Sequence, residues 1–225
     1  MNNFWLIKKS SKKLLIFFNG WGMDENPFLH LKSSEYDVLM FYNYQNLDAE
    51  NLKIEEWNNY QEINLVCWSM GVWTANFFRE YLGSIKFSIA INGSFFPIHN
   101  DFGIPDNIFQ LTLDNFSLLN REKFYKKMFS KDEDFQKFLK IQPKREIIDQ
   151  KKELLKLQYY IKKEPFSDMF NFNQVIIGKY DKIIPAKNQK CFWQQKLTPL
   201  IIEAPHYAFF LWNNWENIIE HATFH

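Results

Sequence analysis

Six short apolar runs, separated by helical stretches, restrict this chain more than any other feature. They are "LLIFFNG" (14–20), "YDVLMFYN" (36–43), "INLVCWS" (63–69), "FSIAING" (87–93), "NQVIIGKYD" (173–181) and "PLIIEAPH" (199–206). Each is rich in Ile, Val, Leu or Phe and ends in turn residues, the pattern of a strand. They do not alternate cleanly between apolar and polar positions, as expected of strands covered on both faces in a mostly parallel sheet. Segments 72–83 ("VWTANFFREYLG") and 212–222 ("WNNWENIIEHA") have helical spacing, and Gly83 is a stop for the first. Strand, helix, strand, helix is the α/β class.

The rhythm breaks once. Between 93 and 173, about eighty residues contain no strand pattern. Segments 121–129, 132–141 and 145–163 read as helices, with breaks at Pro97, Pro105, Pro143 and Pro165. We therefore expect one domain over 1–225, carrying a helical insertion at about 97–168.

Charge separates the insertion from the rest. The net charge is only +1. Residues 121–163 nevertheless hold fourteen Lys or Arg against seven Asp or Glu, which leaves thirteen basic and nineteen acidic residues elsewhere. Such asymmetry suggests an acidic partner for the middle of the chain; the alternative is a solvated helical surface. The aromatic surplus, 24 Phe, 10 Tyr and 8 Trp, fits either compositional bias or a lined pocket. Cys67 and Cys191 form neither a disulfide framework nor a metal-like pair, which fits a reducing compartment. The run "LLIFF" is too short for a signal-peptide core, and no run is long enough to span a membrane. A cytoplasmic, soluble monomer is expected.

The chemistry centres on "CWSMG", 67–71. A strand runs into Trp68-Ser69-Met70-Gly71 and a helix follows. A nucleophile on such a turn is strained, with its Oγ exposed, and residues two before and two after it must be small. Gly71 and Cys67 meet that need. The following helix N-terminus also favours a developing negative charge. The alternative is Ser69 as a simple helix N-cap.

A serine needs a base, and the base an orienting acid. Of the five histidines, His30, His99, His221 and His225 lie elsewhere, whereas His206 follows the last strand. Asp181 follows the strand before it. Ser, Asp, His is the chain order of the α/β-hydrolase fold, which has a mostly parallel central sheet, helices on both faces and, here, a helical lid insertion. Oxyanion donors would be the backbone N–H groups of Met70 and of Trp21 in the "NGWG" turn (19–22). There is no dinucleotide fingerprint, phosphate loop, histidine metal spacing or nucleic-acid motif, so no metal, cofactor or nucleic acid is expected.

Together, "FFNGWGMDE" (17–25), "YNYQNLD" (42–48), "WSMGVW" (68–73), "FGIPDNIFQLTLDNF" (102–116) and "EAPHY" (203–207) resemble the BioG-type pimeloyl-[acyl-carrier protein] methyl ester esterases of biotin synthesis. The resemblance covers nearly the whole chain. It implies Ser69 as nucleophile, Asp181 as acid, His206 as base and Trp21 and Met70 as oxyanion donors. It also implies a methyl ester substrate presented on acyl-carrier protein. Such carriers are acidic, so the basic insertion would dock one, through Arg121, Lys126, Lys127, Lys144, Arg145, Lys151 and Lys152. The acyl chain needs an apolar slot, for which aromatics near Trp21, Trp68 and the insertion are candidates. The competing readings are a general short-chain carboxylesterase and a non-catalytic carrier-binding module.

Overall fold

The computed structural model describes residues 1–163 and 168–223, so Pro165 and His225 lie outside the described residues. All six apolar runs form strands: β2 Lys13–Phe18, β3 Tyr36–Tyr42, β4 Glu62–Trp68, β5 Phe87–Ile91, β6 Gln174–Gly178 and β7 Leu200–Ile202. A seventh, β1 Asn2–Ile7, precedes them and pairs antiparallel with β3. The other pairings are parallel, and the order is β1-β3-β2-β4-β5-β6-β7. Leu14 to Phe18 are fully buried, as continuous apolar strands covered on both faces must be.

Seven α-helices complete the described residues: α1 Met70–Phe77, α2 Asp106–Asp114, α3 Leu118–Lys127, α4 Asp132–Ile141, α5 Ile147–Lys163, α6 Ala186–Trp193 and α7 Trp215–Thr223. Helices α2 to α5 lie between β5 and β6, where the sequence lost its strand rhythm. They leave exposed lysines outside and place Phe109, Tyr125, Phe138, Leu154 and Leu157 inside. This seven-stranded, mostly parallel sheet with helices on both sides is the α/β-hydrolase fold.

The strand order fixes where a site can form. From β2 the chain steps to β3 on one side, then crosses to β4 on the other. Loops leaving the carboxyl ends of β2 and β4 therefore diverge and open a crevice. The register aligns Phe18 with Cys67, and Cys67 with Ala90. The "NGWG" turn and the serine elbow thus leave the sheet at the same level.

Candidate active site

Ser69 has φ 57° and ψ −122°. A non-glycine residue held there costs roughly 1–3 kcal/mol, so its surroundings must enforce the conformation. They do so by close packing. A Cβ on Gly71 would lie 2.1 Å from the Phe18 carbonyl oxygen, and one on Gly93 would lie 2.5 Å from the Ser69 carbonyl oxygen. Cys67 is fully buried in the strand, and burial pushes its thiol well up, which keeps it protonated. Although Ser69 occupies the N-cap position of α1, its side chain makes no capping bond. Its Oγ instead lies 3.1 Å from His206 Nε2.

His206 Nδ1 lies 2.8 Å from Asp181 Oδ2. The three side chains, from loops after β4, β6 and β7, thus form a continuous chain, all buried. The base is fixed through its backbone as well. Its carbonyl accepts from Trp68 Nε1 at 2.9 Å and Asn92 Nδ2 at 2.8 Å, and the Trp68 and His206 rings are 5.2 Å apart. The Asp181 carboxylate accepts from the N–H groups of Ile183 and Ile184 and from Gln189 Nε2 on α6. Such a cluster of donors suits an ionised carboxylate that stabilises an imidazolium. Gln189 and Asn92 were not picked out from the sequence. The signal for Gln189 was Pro185 at the start of an unread helix.

Trp21 and Met70 line one pocket with Ser69 and His206. As the first residue of α1, Met70 carries an N–H with no partner within the helix. Gly20 is pressed against the elbow: a Cβ there would meet the Trp68 ring at 2.9 Å and Ser69 Cβ at 3.3 Å. The pocket encloses about 640 Å³, counting its solvent-open mouth. Its walls are largely apolar, with Trp68, Ile108, Phe109, Phe124, Met128 and Leu154 among them, and Lys127 and Lys182 supply the cations. The sequence named Trp68 as a substrate-binding residue; it lines the pocket, but its indole N–H is already bound to His206.

The insertion is tied to this crevice. Trp21 Nε1 donates to the Gln150 carbonyl at 2.8 Å, and Gln150 Nε2 donates to the Gly22 carbonyl at 2.6 Å. The Gly22 N–H donates to Glu153 Oε2 at 3.1 Å. On the base side, the Tyr207 N–H donates to the Met128 carbonyl at 3.1 Å. Its ring packs against Phe129 and Phe138.

These contacts correct one docking assignment. The Arg145 side chain is only 7% exposed and pairs with Glu153 at 2.5 Å and Asp149 at 2.6 Å. A guanidinium buried against Glu153 and spent on two carboxylates of its own chain does not face an external carrier. Burial opposes its charge, but Glu153 and Asp149 more than offset this and hold it charged. Burial likewise pushes the Glu153 carboxyl up, against the pull of Arg145 and two backbone N–H groups. Arg121 is half-buried and donates to the Arg145 carbonyl and Gln150 Oε1. Lys126, Lys127, Lys144 and Lys152 are exposed, and Lys151 is half-buried. Lys126 faces Asp132 at 3.5 Å, an exposed pair worth at most about 1 kcal/mol.

Among the described residues, no cluster of three or more His, Cys, Asp or Glu is arranged to hold a metal, and no helix is long and apolar enough to cross a membrane. The arrangement can transfer an acyl group: a nucleophile bonded to a base, a base bonded to an acid, and a helix N-terminus beside them.

The family described as pimeloyl-ACP methyl esterase BioG matches residues 2–218, and the chain belongs to that family. BioG from Haemophilus influenzae superposes with a TM-score of 0.87 at 29% identity, covering 96% of this chain and 99% of that one. A lipase-esterase related protein from Clostridium acetobutylicum, at 16% identity and TM-score 0.67, shares the fold; it covers 98% of this chain and 97% of that one. A Bacteroides fragilis protein named malonyl-[acyl-carrier protein] O-methyltransferase is 40% identical over 185 residues. That match covers 82% of this chain but only 37% of the relative's length.

Proposed function

We propose that this BioG-family member is a serine esterase that removes the methyl group from pimeloyl-[acyl-carrier protein] methyl ester, releasing methanol and leaving the free acid on the carrier. The observation that carries the reading is the Ser69–His206–Asp181 chain opening into an apolar pocket. His206 takes the Ser69 proton as Oγ attacks the ester carbonyl. Backbone N–H groups of Trp21 and Met70 stabilise the oxyanion. Methanol leaves with the proton held by His206. A water deprotonated by His206 then attacks the acyl-enzyme, the acid departs, and Ser69 recovers its proton. Asp181 holds the imidazole and stabilises its cation.

The substrate rests on two supports. The family description names pimeloyl-ACP methyl esterase activity. The Bacteroides relative is named for O-methylation of malonyl-[acyl-carrier protein], a different reaction, but one whose product, a carrier-bound methyl ester, is of the substrate class proposed here. For the carrier, support comes from the basic surface of the insertion, with Lys127 at the pocket. An acidic carrier would be attracted there, and the rate should fall as salt screens the charges.

The test compares methanol release from carrier-bound pimeloyl methyl ester and from free dimethyl pimelate. The reading expects kcat/KM to be at least tenfold higher for the carrier-bound ester at low salt. Equal values would leave a general esterase. No turnover of either ester would leave a binding module.

A further inference from the structure

The buried ion pair of the insertion lies against the turn proposed to hold the oxyanion, and its geometry is unusually complete. Glu153 is fully buried on α5. Its Oε1 accepts from the Tyr44 N–H at 3.0 Å; its Oε2 accepts from the Gly22 N–H at 3.1 Å and from Arg145 Nη1 at 2.5 Å. Arg145 is in turn held by Asp149 and by Asn43 Oδ1 at 2.9 Å. Its Nη1 also donates to the Met23 carbonyl at 3.3 Å. One carboxylate therefore bolts α5 to the loop after β2 and to the loop after β3.

The bolted peptide bears directly on the chemistry. Gly22 sits at φ 76°, a conformation that glycine adopts without strain. Its N–H belongs to the peptide joining it to Trp21, so Glu153 fixes the plane immediately after Trp21. Gln150 closes the other side, taking the Trp21 indole N–H on its carbonyl and donating to the Gly22 carbonyl. Asn19 fixes the start of the turn, with its Oδ1 accepting the Gly20 N–H at 2.7 Å. Trp21 is thus held from both sides, and the later hold comes entirely from the insertion.

We infer that Glu153, held by Arg145, is a positioning residue for the oxyanion turn, so that the seating of α5 sets how well the Trp21 N–H meets the transition state. The inference rests on the serine-esterase reading above. Donors aimed at a developing charge act only if they are preorganised, and a small misplacement is costly. The amide isostere cannot replace the carboxylate. Glu153→Gln presents one acceptor oxygen to three donors on two sides, and its NH2 must face an N–H or the guanidinium.

The experiment measures p-nitrophenyl acetate hydrolysis by the full chain, wild type and Glu153→Gln. Active sites are titrated with a fluorophosphonate, so that only folded, reactive enzyme is counted. Labelling of wild type at Ser69 tests the esterase reading separately: if wild type is not labelled there, that reading fails whatever the variant does. The inference expects kcat per titrated site to fall tenfold or more, with KM within twofold. The Ki of phenylboronic acid, which forms a tetrahedral adduct, should rise by a similar factor. Glu153→Asp, which keeps the charge on a shorter arm, should recover part of the loss. Unchanged kcat and boronate Ki alongside a lowered melting temperature would make Glu153 merely structural and overturn the inference. If Glu153→Gln does not fold, Glu153→Asp, which keeps the charge, is judged by the same kcat and Ki criteria.

Discussion

The strand ends and the helical insertion hold the same pocket by different means. At the strand ends, Ser69, Asp181 and His206 are each fixed within a few residues of a β-strand, by register, tight turns and backbone bonds. In the insertion, control passes through long-range contacts from α5 and from the residue after α3, Glu153 to Gly22 and Met128 to Tyr207. The first kind of support places reacting atoms. The second shapes the pocket around them, and it can be weakened without removing any reacting group.

The largest effects should come from the strand ends. Ser69→Ala should lower kcat by roughly 10⁶-fold with the melting temperature nearly unchanged, since a nucleophile is lost and no core atom is. Hydrolysis assays with differential scanning fluorimetry would show it. Asp181→Asn should cost about 10⁴-fold, because the imidazole loses its orienting charge. Steady-state turnover of a small ester is the readout.

Changes on the insertion's outer face should sharpen the contrast. Charge reversal at Lys126 and Lys152 should slow the carrier-bound ester about tenfold at low salt and leave a free ester unchanged. Equal slowing of both esters would place those lysines on the chemistry instead.

The smallest effect lies on β3, the strand next to the sheet's edge. Asp37 is fully buried. Burial pushes its carboxyl up, but the N–H groups of Lys9 and Ser11 and the Tyr60 hydroxyl outweigh this and leave it below the usual carboxylate value. A lowered folded value means the stabilisation is complete above the unfolded pKa, about 3.9, and is lost as pH falls through the folded one. Between pH 6 and pH 3 the urea-unfolding free energy should therefore fall less for Asp37→Asn than for wild type.

The same division explains what the sequence made legible. Strand ends could be read because apolar runs and the small residues around Ser69 are local signals. Edge strand β1 was not, because "NNFWLI" is exposed and half-buried by turns and lacks the continuous apolar run of a central strand. Helix α6, which carries Gln189, was hidden behind the Asp181 turn. Asp149 and Glu153 are spaced four apart on one side of α5, and Arg145, another four back, precedes the first residue of that helix. That spacing cannot say whether the side faces water or the core. Charge suggested water for Arg145, yet its side chain is turned inward to the buried Glu153. Only the approach of the β2 and β3 loops, set by the whole sheet, makes this side internal.

The most direct measurement of the central claim is peptide mass spectrometry after fluorophosphonate treatment of wild type and Asp181→Asn. The account predicts one adduct, on Ser69, forming far more slowly in the variant. An adduct on another residue, or equal rates in the two proteins, would contradict it.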